Sequence, residues 1–179
     1  MRVLCAIVIL VACSGTQPAP AGPDAPYLVV PQIEHTARLV DGFYVGKVPY
    51  QYTNHGADTV VMTGCGPPES PILEWWTGNE WRPAYEQMSL MCLSPPFVVP
   101  PRTILNRTYD IHVYNDSISP SGRPFVGYWQ ASRTIGEYRL VWRVQDQGSS
   151  AQRDKWEGGA LRPFAERVSN TFRIRMVPR

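Results

Sequence analysis

The most reactive side chains in this sequence belong to its four cysteines, Cys5, Cys13, Cys65 and Cys92. A cysteine thiolate can be alkylated, can be oxidised to a disulfide or can bind a metal ion. Which of these reactions applies depends on the compartment of the protein. The start of the chain therefore has to be interpreted first, because it contains two of the four cysteines.

The first residues form a short apolar segment that ends at a cysteine. Arg2 supplies one positive charge, and residues 3–12 are an almost unbroken apolar run. A run of about ten residues is too short to span a bilayer, which needs ~20 helical residues. It is typical of the apolar part of an export signal. A buried N-terminal strand is the alternative interpretation.

The residues at the end of this run favour export. Leu10-Val11-Ala12-Cys13 resembles the lipobox of bacterial lipoproteins. The resemblance implies removal of residues 1–12 as a signal peptide, a diacylglyceryl thioether on Cys13 and further acylation, such as palmitate, on its new amino group. Two or three acyl chains anchor a protein stably, where one chain is marginal.

The residues after the cysteine extend this prediction. In a diderm host, Ser14 in place of Asp resembles the default signal for sorting to the outer membrane. Residues 13–26 are rich in Pro, Ala and Gly and predict an extended tether. We therefore expect a cell-envelope protein attached to a membrane through lipid on Cys13, with a folded domain over residues 27–179.

The two remaining cysteines form an even pair in an exported domain, where oxidising conditions favour a disulfide. The sequence thus predicts a bond between Cys65 and Cys92, which have 26 residues between them. Closing such a loop stabilises a fold by about 3–4 kcal/mol. A metal site that combines both thiolates with His55 is the alternative, but zinc sites usually contain closely spaced cysteine pairs. We predict no metal and no cofactor.

The histidines do not form a recognisable catalytic motif. His35, His55 and His112 are far apart in the sequence, and each could act as a general base. We interpret the first two as loop residues and His112 as a residue on one face of a strand. The sequence contains no nucleophile elbow, zinc-protease helix or phosphate loop. We predict that the protein is not an enzyme.

Composition limits the fold and the partners. Hydrophobic residues make up 44% of the chain and charged residues 18%, which is enough apolar material for a core. A net charge of +2 without clustered Lys or Arg argues against nucleic-acid binding. The 18 prolines, 14 glycines, six Trp and nine Tyr favour strands and turns over helices.

Alternation of apolar and polar residues recurs along the rest of the chain and predicts an all-β domain. Turn residues such as Asp41-Gly42, Asn54-His55-Gly56 and 77–80 separate the predicted strands. The predicted strands are 27–30, 37–40, 45–53, 59–62, 72–76, 81–82, 97–99, 104–114, 135–144 and 171–177.

Several segments resemble immunoglobulin-like domains of bacterial lipoproteins of unknown function. These segments are residues 48–54, 60–65, 73–81, 136–140 and 169–174. The resemblance covers most of residues 27–179 and implies an immunoglobulin-like β-sandwich with long loops, but it implies no ligand. Leu140 stands where antibody domains carry a cysteine two residues after a conserved tyrosine, so the antibody-type disulfide is excluded.

Two regions are candidate binding surfaces. Trp75 and Trp76 must face opposite sides of a strand. Leu73 shares its side with Trp75, which we expect in the core, and Trp76 should then point outward. An exposed Trp can anchor a protein or a sugar. Alternatively, Trp81 covers Trp76 across the hairpin.

The second region is the long connection over residues 145–168, which contains Arg153, Lys155 and Trp156. Loops of this length are often functional. A flexible insertion with a short helix near residues 160–165 is the alternative. The leading hypothesis is a tethered, non-catalytic module that binds a protein or a cell-envelope polymer. A protease inhibitor that acts through this loop and an uncharacterised hydrolase are the other two hypotheses.

Overall fold

The computed structural model describes residues 25–62, 71–86, 97–114, 128–129, 135–148 and 159–178. Within these residues, none of the helical structure is long and apolar enough to cross a membrane. A single 3-10 turn, Phe164–Glu166, accompanies the strands. The strands are β1 Leu28–Val29, β2 Glu34–Val40, β3 Phe43–Thr53, β4 Val60–Met62, β5 Ile72–Trp76, β6 Trp81–Pro83, β7 Tyr85–Glu86, β8 Phe97–Val99, β9 Ile104–Tyr114, β10 Tyr128–Trp129, β11 Ile135–Val141, β12 Val144–Asp146 and β13 Phe172–Val177.

The strands form two layers with immunoglobulin-like connectivity. In the first layer, β3 pairs antiparallel with β1, β2 and β9. In the second layer, β11 lies between β13 and β5, and β6 extends the sheet beyond β5. In immunoglobulin lettering, the first layer contains strands A, B and E and the second contains C, F and G. The predicted all-β sandwich is confirmed.

Strand β2 belongs to both layers. Residues 34–38 pair in parallel with β13, whereas residues 37–40 pair antiparallel with β3. Pro31 separates β2 from β1, since proline has no N–H to donate to a sheet. Beside this break, the Asn170 side chain forms the hydrogen bonds to Val30 that the backbone of a neighbouring strand would otherwise form. Its Oδ1 accepts the Val30 N–H at 2.8 Å, and its Nδ2 donates to the Val30 carbonyl at 3.1 Å.

The hairpin between β2 and β3 is the turn predicted from Asp41-Gly42. Both residues have positive φ, 49° and 83°. Two-residue hairpins of this kind suit the right-handed twist of the strands they connect. Further along β3, a Cβ on Gly46 would lie only 2.8 Å from the Thr36 carbonyl oxygen, so glycine permits the close approach of β2.

The two layers are hydrogen-bonded to each other at one end. Here β4 pairs with β8, which leads into the first layer, and with β12, which continues the second. The prediction of one strand over residues 135–144 is wrong, because the strand is interrupted after Val141. The buried Trp142 interrupts it by packing edge-on against Tyr50 and Tyr52, with ring centres 5.4 and 5.7 Å away. We call this end of the sandwich the loop end.

A single apolar core fills the space between the layers. It is built from the inward-facing side chains of strands on both sides, and Ala37 and Leu28 extend it along β2 and β1. Its largest fully buried side chains are Trp142, Tyr52, Tyr138 and Phe172. Burial raises the pKa of the Tyr52 and Tyr138 hydroxyls, which therefore stay protonated.

A buried asparagine organises the turns at the loop end. The Asn54 side chain, 1% exposed, accepts the Gly56 N–H through Oδ1 at 3.1 Å. Three backbone carbonyl oxygens surround its Nδ2, those of Asp58 at 2.8 Å, Val99 at 3.2 Å and Pro100 at 3.1 Å. One amide thus connects the turn after β3 to the turn between β8 and β9.

We predict that Asn54→Asp lowers the free energy of unfolding by about 3 kcal/mol or more at neutral pH. Aspartate keeps the acceptor for Gly56 but places a carboxylate oxygen against three carbonyl oxygens. Urea denaturation followed by tryptophan fluorescence measures the change. Asn106→Asp is the matched control, because Asn106 is exposed and its side-chain oxygen accepts a hydrogen bond from Gln51 at 3.0 Å. Equal decreases in the free energy of unfolding in the two variants would contradict the role of Asn54 in connecting the two turns.

Candidate functional site

The structure describes one of the predicted site residues, Trp76. The others lie outside the described residues: Cys13, Cys65, Cys92, Arg153, Lys155 and Trp156. Lipidation, the disulfide and the basic part of the long connection therefore stay predictions.

Strand β5 orients its residues as the alternation predicts. Leu73 is buried and Trp75 packs against the core. Ile72, Glu74 and Trp76 face outward from the second layer. Of the two interpretations of Trp76, the structure supports cover by Trp81, because the two residues pair across the hairpin with ring centres 5.5 Å apart. Both indoles are half-buried.

An ion pair lies beside this Trp pair on the same face. Arg139 on β11 is directly opposite Glu74 on β5. Its Nε and Nη2 lie 2.8 and 2.7 Å from Glu74 Oε2, and both side chains are 19% exposed. The guanidinium is 4.4 Å from the Trp81 ring centre and 5.0 Å from that of Phe164. Partial removal from water strengthens such cation–π contacts, so Arg139 holds Phe164 against the outer face.

Phe164 belongs to a segment that returns along the second layer, residues 159–169, which we call the return segment. It hydrogen-bonds to β12 through residues 159–162 and to the end of β11 through Arg167 and Ser169. The predicted loop over residues 145–168 is therefore too long at both ends. Gln145 lies in β12, and Val168 forms a bridge with Val141. In place of the short helix expected near residues 160–165, the structure has the 3-10 turn Phe164–Glu166.

One arginine fastens the return segment to β12. The Arg162 Nη1 lies 2.9 Å from Asp146 Oδ1, and its Nε lies 2.8 Å from Glu166 Oε2. One guanidinium thus contacts both carboxylates and offsets one of their two negative charges. Its planar fork suits such a pair of acceptors, which a lysine would contact as a point charge.

The return segment and the second layer enclose a cleft of about 280 Å³ on the outer face, near the loop end. We call it the outer cleft. It is lined by Ile72, Val141, Trp142, Arg143, Gln145, Leu161 and Arg167. Ile72 and Leu161 are 54% and 51% exposed, and Phe164, in contact with Arg167, is 46% exposed. Apolar side chains that are this exposed and close together are typical of interaction surfaces.

Only part of this site is predictable from the sequence. Strand alternation places Trp76 on the outward face, as predicted, and Ile72 shares its side of the strand. Leu161, Arg143 and Arg167 have no such signal, because their proximity depends on how residues 159–169 align with β11 and β12. Pro163 signals only an interruption of strand pairing, and it precedes the 3-10 turn.

The three histidines lie in separate surroundings. His35 on β2 is buried edge-on against Phe172, with ring centres 5.4 Å apart, so its interpretation as a loop residue is wrong. His55 lies in the turn after β3 beside Tyr27, and His112 is exposed on β9 and stacks on Phe43. The described residues include no cluster of His, Cys, Asp or Glu that could hold a metal ion.

Burial lowers the pKa of His35 from 6.5, although hydrogen bonds to the backbone of Gln32 and Lys47 oppose the shift. Below 6.5 the unfolded chain binds this proton more readily than the folded one, so we predict that stability falls as the pH decreases from that value. His35→Gln should make the free energy of unfolding less dependent on pH between about 7.5 and about 5.5. Urea titrations at several pH values measure this dependence. Exposed His112→Gln is the control, and unchanged dependence in His35→Gln would contradict the prediction.

Comparison with known proteins adds little to this description. No known protein family and no curated protein matches the chain. Among solved structures, the chain is similar to the ASH/PapD-like domain of human CEP192 (PapD-like domain 7) over 100% of its own length and 98% of that chain. Identity is 8% and the TM-score is 0.28, too low to carry an argument. The fold is thus defined by its strand pairing, and function has to be argued from the site.

Proposed function

We propose that this chain is a bacterial envelope lipoprotein whose immunoglobulin-like domain binds a ligand and does not catalyse a reaction. The anchor is supported by the sequence alone: a charged start, a short apolar run and Leu10-Val11-Ala12-Cys13. In a diderm host, Ser14 supports placement in the outer membrane. The tether then holds the domain at the membrane surface.

The outer cleft is the single observation that carries the binding role. Three apolar side chains are each close to half exposed, those of Ile72, Leu161 and Phe164. Ile72 lies on a regular strand, and the other two lie on the return segment, which hydrogen bonds hold in place. Exposed apolar surface gives up the stabilisation that burial would provide, about 25 cal/mol per Å². A partner that covers these side chains supplies that stabilisation. The ligand is a protein or a cell-envelope polymer.

The anchor is tested by replacing the alkylated thiol. We predict that Cys13→Ser abolishes incorporation of a labelled fatty acid and leaves uncleaved precursor, because no sulfur remains to receive the diacylglyceryl group. Metabolic labelling and mass spectrometry of the N-terminus measure both effects. Cys5→Ser is the matched control, since it changes a cysteine inside the signal peptide and should leave labelling intact. Normal processing of Cys13→Ser would refute the anchor.

The binding role is tested with the tagged full chain as bait for crosslinked envelope extract. We predict that the wild type retains a specific envelope component and that Ile72→Ser reduces its recovery by about fivefold or more, because the partner loses an apolar contact. Ile104→Ser is the matched control, since Ile104 is 46% exposed but lies on β9 in the other layer. Recovery no better than from blank beads, or equal recovery with Ile72→Ser, would refute a binding role for the cleft.

A further inference from the structure

The size of the outer cleft limits what can enter it. Pockets for drug-sized ligands measure about 300–1,000 Å³, and the outer cleft measures about 280 Å³. Most of its wall is apolar, with Ile72, Val141 and Leu161 on its sides. A cleft at the lower limit of this range has room for one or two apolar side chains of a larger partner.

The open backbone edge of the return segment lies outside the cleft. Asp146 donates to the Ala160 carbonyl and Arg162 donates to the Val144 carbonyl, at 2.8 and 3.0 Å. In this antiparallel pattern, the N–H and carbonyl of Leu161 point away from β12. Ile72 and Val168 pair with Val141 from opposite sides, so this edge faces away from Ile72. A ligand in the cleft is therefore held by side chains.

The charged side chains that line the cleft are both positive, those of Arg143 and Arg167. Neither forms an ion pair with a described carboxylate, and Arg167 donates only to the carbonyl oxygens of Arg162 and Trp142. The nearby acids, Asp146 and Glu166, are both paired with Arg162. A complementary ligand is therefore negatively charged.

We propose that the outer cleft binds an acidic peptide segment of a partner protein. One apolar side chain of the peptide enters between Ile72 and Leu161. Flanking carboxylates contact Arg143 and Arg167. This inference rests on the proposed binding function and specifies the chemistry of the partner.

The test uses two-dimensional amide NMR of the ¹⁵N-labelled full chain in mild detergent. The probe is a blocked pentapeptide with a central leucine and aspartates on both sides. We expect saturable shifts of the Val141, Gln145 and Leu161 amides. A peptide with serine in place of leucine, and one with lysines in place of the aspartates, should each bind at least about tenfold more weakly. Added salt should weaken binding of the acidic probe.

Two pairs of variants locate the interaction. Arg143→Glu and Ile72→Ser should each weaken binding of the acidic leucine peptide by about tenfold, whereas Arg38→Glu and Ile104→Ser should not change it. Arg38 and Ile104 are exposed and lie outside the cleft lining. Dispersed spectra verify that each variant is folded.

The inference is overturned if no saturable shift is seen, if the lysine peptide binds equally well, or if the shifts lie away from the cleft. Equal binding of the serine peptide would also overturn it, because the apolar side chain would then be irrelevant. If the envelope extract still yields a partner that depends on Ile72, the binding function stands and only the acidic peptide is refuted. If neither the peptide-induced shifts nor a partner that depends on Ile72 is observed, the binding function and the acidic peptide are both refuted.

Discussion

The arrangement at the loop end depends on one buried amide. Asn54 cannot be hydrated at 1% exposure, so its hydrogen bonds must be made by the protein. They fix the turn over residues 54–58 against the turn that precedes β9. A Cβ on Gly56 would lie 3.9 Å from Arg162 Nη2, an ordinary contact distance, so this turn lies beside Arg162. Arg162 in turn connects β12 to the return segment.

The same connection explains why the outer cleft has a defined shape. Arg162 holds Asp146 and Glu166, and the hydrogen bonds of the return segment to β12 and β11 fix its path. Leu161 consequently stays beside β12, although about half of its surface remains exposed. In the middle of the return segment, Arg139 and Arg167 both contact the ring of Phe164. Apolar groups that would otherwise collapse into a core are kept at the surface by polar contacts.

The sequence predicted the parts of this fold that depend on local pattern. The alternation over residues 104–114 and the hairpin at residues 77–80 match β9 and the β5–β6 connection. The change of layer within β2 and the break at Trp142 were missed, because both depend on which distant strand offers hydrogen bonds. Within the site, the alternation of residues along the strand predicts that Ile72 and Trp76 face outward. The pairing of Arg139 with Glu74 joins residues 65 positions apart and has no local signature.

The ion pairs of this domain differ in how much they stabilise the fold. Lys47–Asp110 and Arg173–Glu137 are exposed pairs at 3.9 Å, and such pairs are worth about 0–1 kcal/mol. Arg139–Glu74 is largely removed from water, so breaking it would leave a half-buried charge without its partner. Arg143 and Arg167 belong to neither group. Neither has a carboxylate partner among the described residues. They therefore give the cleft a positive charge that stabilises the fold through no ion pair within the described part of the chain.

The proposed anchor would attach at the end of the domain that carries this cleft. Strand β1 enters the sandwich beside Tyr52, and the Pro26 carbonyl lies 3.3 Å from His55 Nε2, so the tether joins the domain at the loop end. With lipid on Cys13, residues 14–26 span roughly 40 Å when extended, at about 3.1 Å per residue. The hairpin at Asp41-Gly42 lies at the opposite end. The proposed attachment point and the outer cleft are therefore at the same end of the domain.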